Sequence, residues 1–404
     1  MISDRTPLLW PEAWKAPTTL DLLNGTVINC IATTNKAVAA RAAESGLQVI
    51  EPHVPPPGVS ILEGAIAGIK LDRFGSSAAV SAGPTGEPWV NSNVWPVRLA
   101  RARKPENTVW IRTQPPANTG GAAFPYSVMI ADSALTGAKW MIALDDPLAR
   151  AIGEGKPAAL ATWKKITSTA AYFAYRSHLN GYEPEAVIGI VSDFATSSEH
   201  EVLNLVTRSG QQYRVIPQER LTPMSLAGLR AVLAPALEPP PAPVQARLLE
   251  FATAGGLLIN AAPWADVHGS APSKETHPRF TVVALGQGMI AQPKQPMRDP
   301  YVLANDAAIL VSHRHDLLRF WNAGAISAYY SSSPDRQRAA VQMVFYSNRP
   351  AEDVALRIAG NYRTATISTP DAPAPARLQT EQQDGAIEVH LPAVAQYAAI
   401  ELEA

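Results

Sequence analysis

The sequence predicts an α/β protein in three parts: a parallel barrel-like domain, a small open α/β domain and an antiparallel β-sandwich. Three observations predict this. A chain of 404 residues is too long for one compact core. Over the first two parts, short β-branched runs alternate with helical stretches, the pattern of a parallel sheet. In the third part the runs are short and separated by Pro, Gly, Asn and Asp, as in antiparallel strands. The expected boundaries are 1–183, 184–265 and 266–404.

In the first part, WPEAWKAP reads as an extended lead-in anchored by tryptophan, and VINCIA (27–32) as a buried strand. Residues 36–45 carry helix formers throughout, and Gly46 ends them. A strand over 47–50 leads to Glu51 and His53, a proline run at 55–57 forces a loop, and after 60–67 the segment 68–71 ends in Asp72 and Arg73. The run 78–82 feeds a loop, a helix is expected over 95–103, and TVWIR (108–112) is a strand followed by Gln114. A helix at 126–136 then leads to the strand KWMIAL (139–144), which ends in Asp145 and Asp146. Polar residues thus recur just past the strand ends, the edge at which parallel barrels carry their chemistry. The strands fall short of eight, so the expected domain is a TIM-barrel-like unit, abbreviated or completed by irregular pieces; a doubly wound open sheet is the alternative. A long helix over 158–179 closes it, with Trp163, Ile166, Ala170, Phe173 and Leu179 at helical spacing as core.

After a linker at 182–185, strands are expected at 187–191, 213–216, 231–233 and 257–260, with helices at 199–208 and 244–254 between them. This is a small open α/β domain. The third part offers strands at 280–285, 342–346, 354–358, 364–367, 387–391 and 397–402, and one bridging helix at 303–321.

Composition narrows the function. Lys and Arg number 34 against 35 Asp and Glu, a formal charge of -1, and no basic run is present; nucleic acid and anionic membranes are not expected partners. No run reaches the roughly 18 apolar residues of a bilayer span. MISDRTPLLW lacks the regions of a signal peptide, so a soluble chain is expected, cytoplasmic, or periplasmic if a leader has been removed. Cys30, the single cysteine, is expected to be a buried thiol, and it excludes an intrachain disulfide or a cysteine metal site. His313 and His315 show no metalloenzyme pattern, so neither metal nor cofactor is expected.

The stretch 83–95, GPTGEPWVNSNVW, reads as a binding loop, because Gly and Pro stop the strand and leave residues that stack on sugar rings and bind hydroxyls. The alternative is a rigid turn whose tryptophans fill a gap beneath it. Trp89, Glu87, Asn91, Asn93 and Arg112 are the candidate substrate contacts. Trp110 and Trp140, inside strands, read as core.

The order of parts, with SDFATSSEHEVLNLV, YRVI, GLRAVLAP and FATAGGLLIN in the middle and LPAVAQYAAIELE at the end, resembles glycoside hydrolases related to the β-galactosidases that carry a trimerisation domain. The resemblance implies a flavodoxin- or amidotransferase-like middle domain without amidotransferase chemistry, a C-terminal β-sandwich, a carbohydrate ligand and a homo-oligomer. Consistent with lost amidotransferase chemistry, no cysteine nucleophile is present in the middle part.

Glycoside hydrolysis needs two carboxyl groups facing the scissile bond. The acids nominated are Asp72 and Asp145, with Glu51 and Asp146 as substitutes; Glu63 and Glu87 lie in nearby segments. Asp145 and Asp146 precede Pro147 and suit a helix N-cap equally well, and Asp72 with Arg73 suits an ion pair at the rim. The resembling galactosidases place their acid/base in an Asn-Glu pair, and this chain has none. Either the catalytic pair is rebuilt from other acids, giving a glycoside hydrolase, or the chain is a non-catalytic carbohydrate-binding or assembly protein.

Overall fold

The computed structural model describes residues 5–67, 69–73, 80–84, 90–115, 122–266, 277–347 and 350–404. In the first part the elements are β1 (Pro7–Leu9), β2 (Cys30–Ala32), α1 (Lys36–Glu44), β3 (Gln48–Ile50), β4 (Val59–Glu63), β5 (Ile69–Arg73), β6 (Val80–Pro84), α2 (Val94–Arg103), β7 (Thr108–Arg112), α3 (Phe124–Ala134), β8 (Lys139–Trp140), α4 (Asp146–Gly153) and α5 (Pro157–Tyr175).

Strands β1, β2 and β3 pair in parallel, as do β4, β7 and β8. Ile142 joins the two sets, donating its N–H to Pro7 O at 2.9 Å and accepting from Leu9 N at 2.8 Å, in a parallel bridge with Leu8. The strands therefore follow one another round an arc, β4-β7-β8-β1-β2-β3. Among the described residues no strand pairing closes the arc between β3 and β4. Its interior is apolar, with Leu8, Ile31, Trp110 and Ile111 fully buried; Trp110 and Trp140 are both core. Burial of a side chain of this size contributes roughly 1.5–3 kcal/mol.

The runs at 68–71 and 78–82, expected as parallel strands, instead form the antiparallel ribbon β5–β6 outside the arc. Chain length explains the correction. A parallel crossover needs a dozen or so residues, and only residues 74–79 separate these two strands.

Local signals set the helix ends. The Asn35 side chain caps α1 by accepting from Ala37 N and Val38 N, and Gly46 adopts φ +78° just past its end. Helix α5 buries Trp163, Ile166 and Ala170, and a short 3-10 turn over Ser177–Gly181 buries Leu179.

The second sheet contains β10 (Ile188–Ser192), β11 (Tyr213–Pro217), β12 (Ala231–Ala234) and β13 (Leu257–Asn260), all parallel in the order β11-β10-β12-β13. It is extended by the hairpin β14 (Phe280–Leu285) and β15 (Gly288–Pro293), with β15 parallel to β13. Residues 280–285, expected in the sandwich, therefore belong to this α/β sheet. Helices α6 (Ser197–Arg208), α7 (Pro223–Leu226) and α8 (Ala242–Thr253) connect its strands, and α6 starts with a Thr196–Glu199 capping box.

Helix α9 (Pro300–Val311) packs on this unit through Leu303, Ala304 and Ala307. It is shorter than the expected 303–321. Ser312 takes φ +70° and breaks the helix, a 3-10 turn follows, and the chain resumes as a strand, β16 (Leu318–Trp321).

The remaining strands form a β-sandwich. One antiparallel sheet holds β16, β19 (Ala355–Ala359), β22 (Thr380–Gln383) and β23 (Ala386–His390). The other holds β9 (Glu183–Pro184), β17 (Ile326–Ser332), β18 (Arg338–Phe345), β20 (Thr364–Ser368), β21 (Ala376–Arg377) and β24 (Tyr397–Glu403). Their inner faces share a core containing Val341, Leu356, Ile387 and Ile400. The segment 182–185, expected as a linker, supplies the edge strand β9 beside β17.

The parts are tied together by buried contacts. Leu99 of α2 enters the core of the second sheet, and Trp95 stacks on His200 with centroids 4.8 Å apart. Arg176, just after α5, pairs with Glu401 at 3.0 Å. Among the described residues no helix is long and apolar enough to cross a membrane.

Candidate functional site

The C-terminal ends of the arc strands surround a cleft of about 920 Å³. Leu9 and Trp10 enter it from the end of β1, Ala32 and Thr33 from β2, Pro52 and His53 from beyond β3, Glu63 from β4, and Arg112 with Gln114 from β7. Parallel strands emerging side by side deliver these side chains to one edge.

Strand register determines the central pair. Glu63 and Arg112 are directly opposed in the β4–β7 ladder, and their side chains form an ion pair. The same guanidinium donates to Pro52 O at 3.0 Å and lies 2.6 Å from His53 Nδ1. Arg112 thereby links β7 to the segment after β3, across the opening of the arc. Glu63 stays 69% exposed, so the pair contributes little to stability and its carboxylate remains accessible. Gly64 allows the close packing behind it: a Cβ there would lie 2.3 Å from Ile111 Cγ2 and 2.9 Å from Asn93 Oδ1.

Part of the lining is aromatic. Trp10 is half-buried, donates Nε1–H to Trp14 O at 2.8 Å and meets the Trp14 ring edge-on at 5.2 Å. Trp14 is held in turn by Ala149 O and by an edge contact with Trp163. Exposed Glu12 lies between the two tryptophans in sequence and lines the cleft. Among the described residues no group of three His, Cys, Asp or Glu could hold a metal ion.

Of the residues nominated from sequence, Arg112 lines this cleft. Asp145 is buried; one carboxylate oxygen caps α4 by accepting from Leu148 N at 3.0 Å, and the other meets the Tyr126 hydroxyl. Asp146 is exposed at the first position of α4, and Glu51 is exposed just past β3; neither lines the cleft. Asp72 sits on the β5–β6 ribbon, opposite Ser81, rather than at the end of an arc strand. Asn91 is exposed ahead of α2 and does not line the cleft either. Glu87 and Trp89 lie outside the described residues.

Asn93 is 1% exposed, and its amide is used within the protein. It accepts from Ala65 N and donates to Ala65 O and to Asp132 Oδ2, all within 2.9 Å, which leaves nothing for a ligand. Asp132 is fully buried, and burial raises its pKa, against the lowering effect of hydrogen bonds from Tyr346 and Asn93.

Trp10 and Glu12 carried a weak signal, because three residues of β1 are too few to read as a strand. Glu63 and Arg112 had a stronger one: VSILE and TVWIR each end on a charge, and the two charges are opposite.

No family model and no curated relative matches the sequence. Solved structures of glycoside hydrolases do match. A rhamnosidase from Novosphingobium sp. PP1Y aligns over 91% of this chain and 38% of its own, at 12% identity and a TM-score of 0.50. An α-L-fucosidase isoenzyme from Paenibacillus thiaminolyticus aligns over 76% and 62%, at 10% identity and 0.49. The GH42 β-galactosidase Gan42B from G. stearothermophilus aligns over 85% and 53%, at 9% identity and 0.47. The chain spans less than two thirds of these proteins. At such identities the likeness is one of fold alone.

Proposed function

We propose that the cleft binds a glycoside and hydrolyses it by a two-carboxylate mechanism, with Glu63 and Glu12 as the carboxyl groups. The observation that carries this reading is the cleft itself: two glutamates, a guanidinium and a half-buried indole gather at the C-terminal edge of a parallel arc. Glu63, oriented by Arg112, serves as nucleophile or base. Glu12, with no ion pair among the described residues, serves as proton donor. Trp10 offers a face to a sugar ring, and Arg112 and Asn35 offer donors to its hydroxyls. The rhamnosidase sharing this scaffold supports the substrate class.

A panel of aryl glycosides tests it. Glu63→Gln and Glu12→Gln should each lower kcat by about 100-fold or more, as loss of an acid or base does. Turnover that neither substitution changes refutes the assignment.

A second reading, carbohydrate binding without hydrolysis, is favoured by one observation: the acid beyond β8, Asp145, is spent as a buried helix cap. Saturable sugar binding with no turnover on the whole panel would select it. From the resemblance we also propose that the middle part serves structure or assembly in a homo-oligomer, which light scattering checks. We assign β14, β15 and α9 to that part, because they share its sheet and core.

A further inference from the structure

Where the three parts meet, α2, β11 and β17 enclose a second cavity, of about 260 Å³, that shares no lining residue with the cleft. Three arginines line it: Arg98, Arg101 and Arg214. Tyr182, Tyr213 and Tyr329 form its aromatic walls, and no carboxylate lines it.

The arginines are held, but not neutralised. Arg98 donates to Tyr213 O at 3.3 Å, and its guanidinium carbon lies 4.2 Å from the Tyr213 ring centroid and 4.9 Å from that of Tyr329. Arg101 donates to Thr136 O and, at 3.3 Å, to Asn180 O. Arg214 donates to Ser225 O at 2.8 Å and Ala227 O at 3.3 Å. Every one of these acceptors is a neutral carbonyl. Among the described residues none of the three arginines forms an ion pair, and Arg98 Nε is buried without a hydrogen-bond partner. The nearby acids are engaged or exposed: Glu185 pairs with Arg336 at 2.9 Å, and Glu183 faces solvent on β9. Burial depresses the pKa of Arg214, and Glu185 and Glu183 offset this only in part.

Guanidinium groups fixed by carbonyls and ring faces are pre-organised to bind an oxyanion through charge-assisted hydrogen bonds. The half-buried Tyr182 suits a ring attached to that oxyanion, while Tyr213 and Tyr329 hold Arg98. We propose that this junction is a binding site for a small organic phosphate or sulfate ester, its oxyanion among Arg98, Arg101 and Arg214 and its ring against Tyr182. The site is independent of the glycosidase reading.

Calorimetric titration of the full chain with phenyl phosphate, phenyl sulfate and phenol tests it at neutral pH and low salt. One of the two esters should bind saturably and phenol should not; the tighter ester identifies the oxyanion. Arg214→Gln and Arg214→Lys should each weaken that binding by on the order of tenfold, the loss expected for a charge-assisted, two-pronged contact. Because either variant could fold poorly, hydrogen exchange on the unaltered chain gives a second measurement, with ester-induced protection expected at 98–105 and 213–215. No saturation by either ester at millimolar concentration, binding unchanged in both variants, or protection confined to other segments would overturn the proposal.

Discussion

Replacing Tyr346 with Phe removes one hydroxyl from the buried contact between the arc domain and the sandwich. Tyr346 is 1% exposed, and its hydroxyl donates to Asp132 Oδ1 at 2.6 Å and lies 3.0 Å from Ser327 Oγ. The ring volume is kept, so the loss is one of hydrogen bonding. A bond to an ionised carboxylate is worth about 1.5–3 kcal/mol and one between neutral groups about 0.5–1.5 kcal/mol, which puts the cost at about 2–4 kcal/mol with Asp132 ionised. The pH dependence follows from Asp132, whose pKa is raised in the folded protein. A raised carboxyl contributes stability that is present below its unfolded pKa, near 4, and is lost as pH rises through the folded value. Tyr346 works against that loss by donating to the anion. Without it the folded pKa moves further up, and the variant loses more stability than the native chain as pH rises. Urea unfolding of both proteins from about pH 4 to pH 8 measures this, and the difference should grow toward the alkaline end. A difference below about 0.5 kcal/mol at pH 8, less than a single neutral hydrogen bond, or one that does not change with pH, would refute the reasoning.

Asp145→Ala removes a helix cap and a buried partner of Tyr126, and should cost about 2–3 kcal/mol in unfolding experiments. Asp146→Ala, at an exposed first-turn position, should cost less than about 1 kcal/mol. Gly64→Ala forces a methyl group against Ile111 and Asn93, and a loss of about 1–3 kcal/mol is expected from the same measurement. Burial pushes the Cys30 thiol up to about 11, so a thiol reagent at pH 8 should leave the native chain unmodified and react once per chain after denaturation.

Much of the local structure was legible in the sequence. Asn35 and Gly46 bracket α1, β-branched runs mark the arc strands, and TVWIR delivers Arg112 to the cleft. Pattern alone does not choose a strand's partner. Residues 280–285 alternate like any antiparallel strand, and they do pair antiparallel with β15, but their sheet is the α/β one. The apolar run predicts a helix through 321, and Ser312, which turns left-handed, ends it at Val311.

The site divides in the same way. Periodicity and capping are properties of neighbouring residues, so polar groups at strand ends, carried toward one edge, are legible in local pattern. Which of those groups meet depends on strand register and on the curvature of the arc, and these bring together residues far apart in the chain. Glu63 faces Arg112 because β4 lies beside β7, and Asp145 is withdrawn because Tyr126 and the start of α4 use both its oxygens. Asn93 is withdrawn by Asp132, thirty-nine positions away. These pairings follow from the packing of distant segments, in which a buried polar group finds its hydrogen-bond partner, and no local pattern contains them.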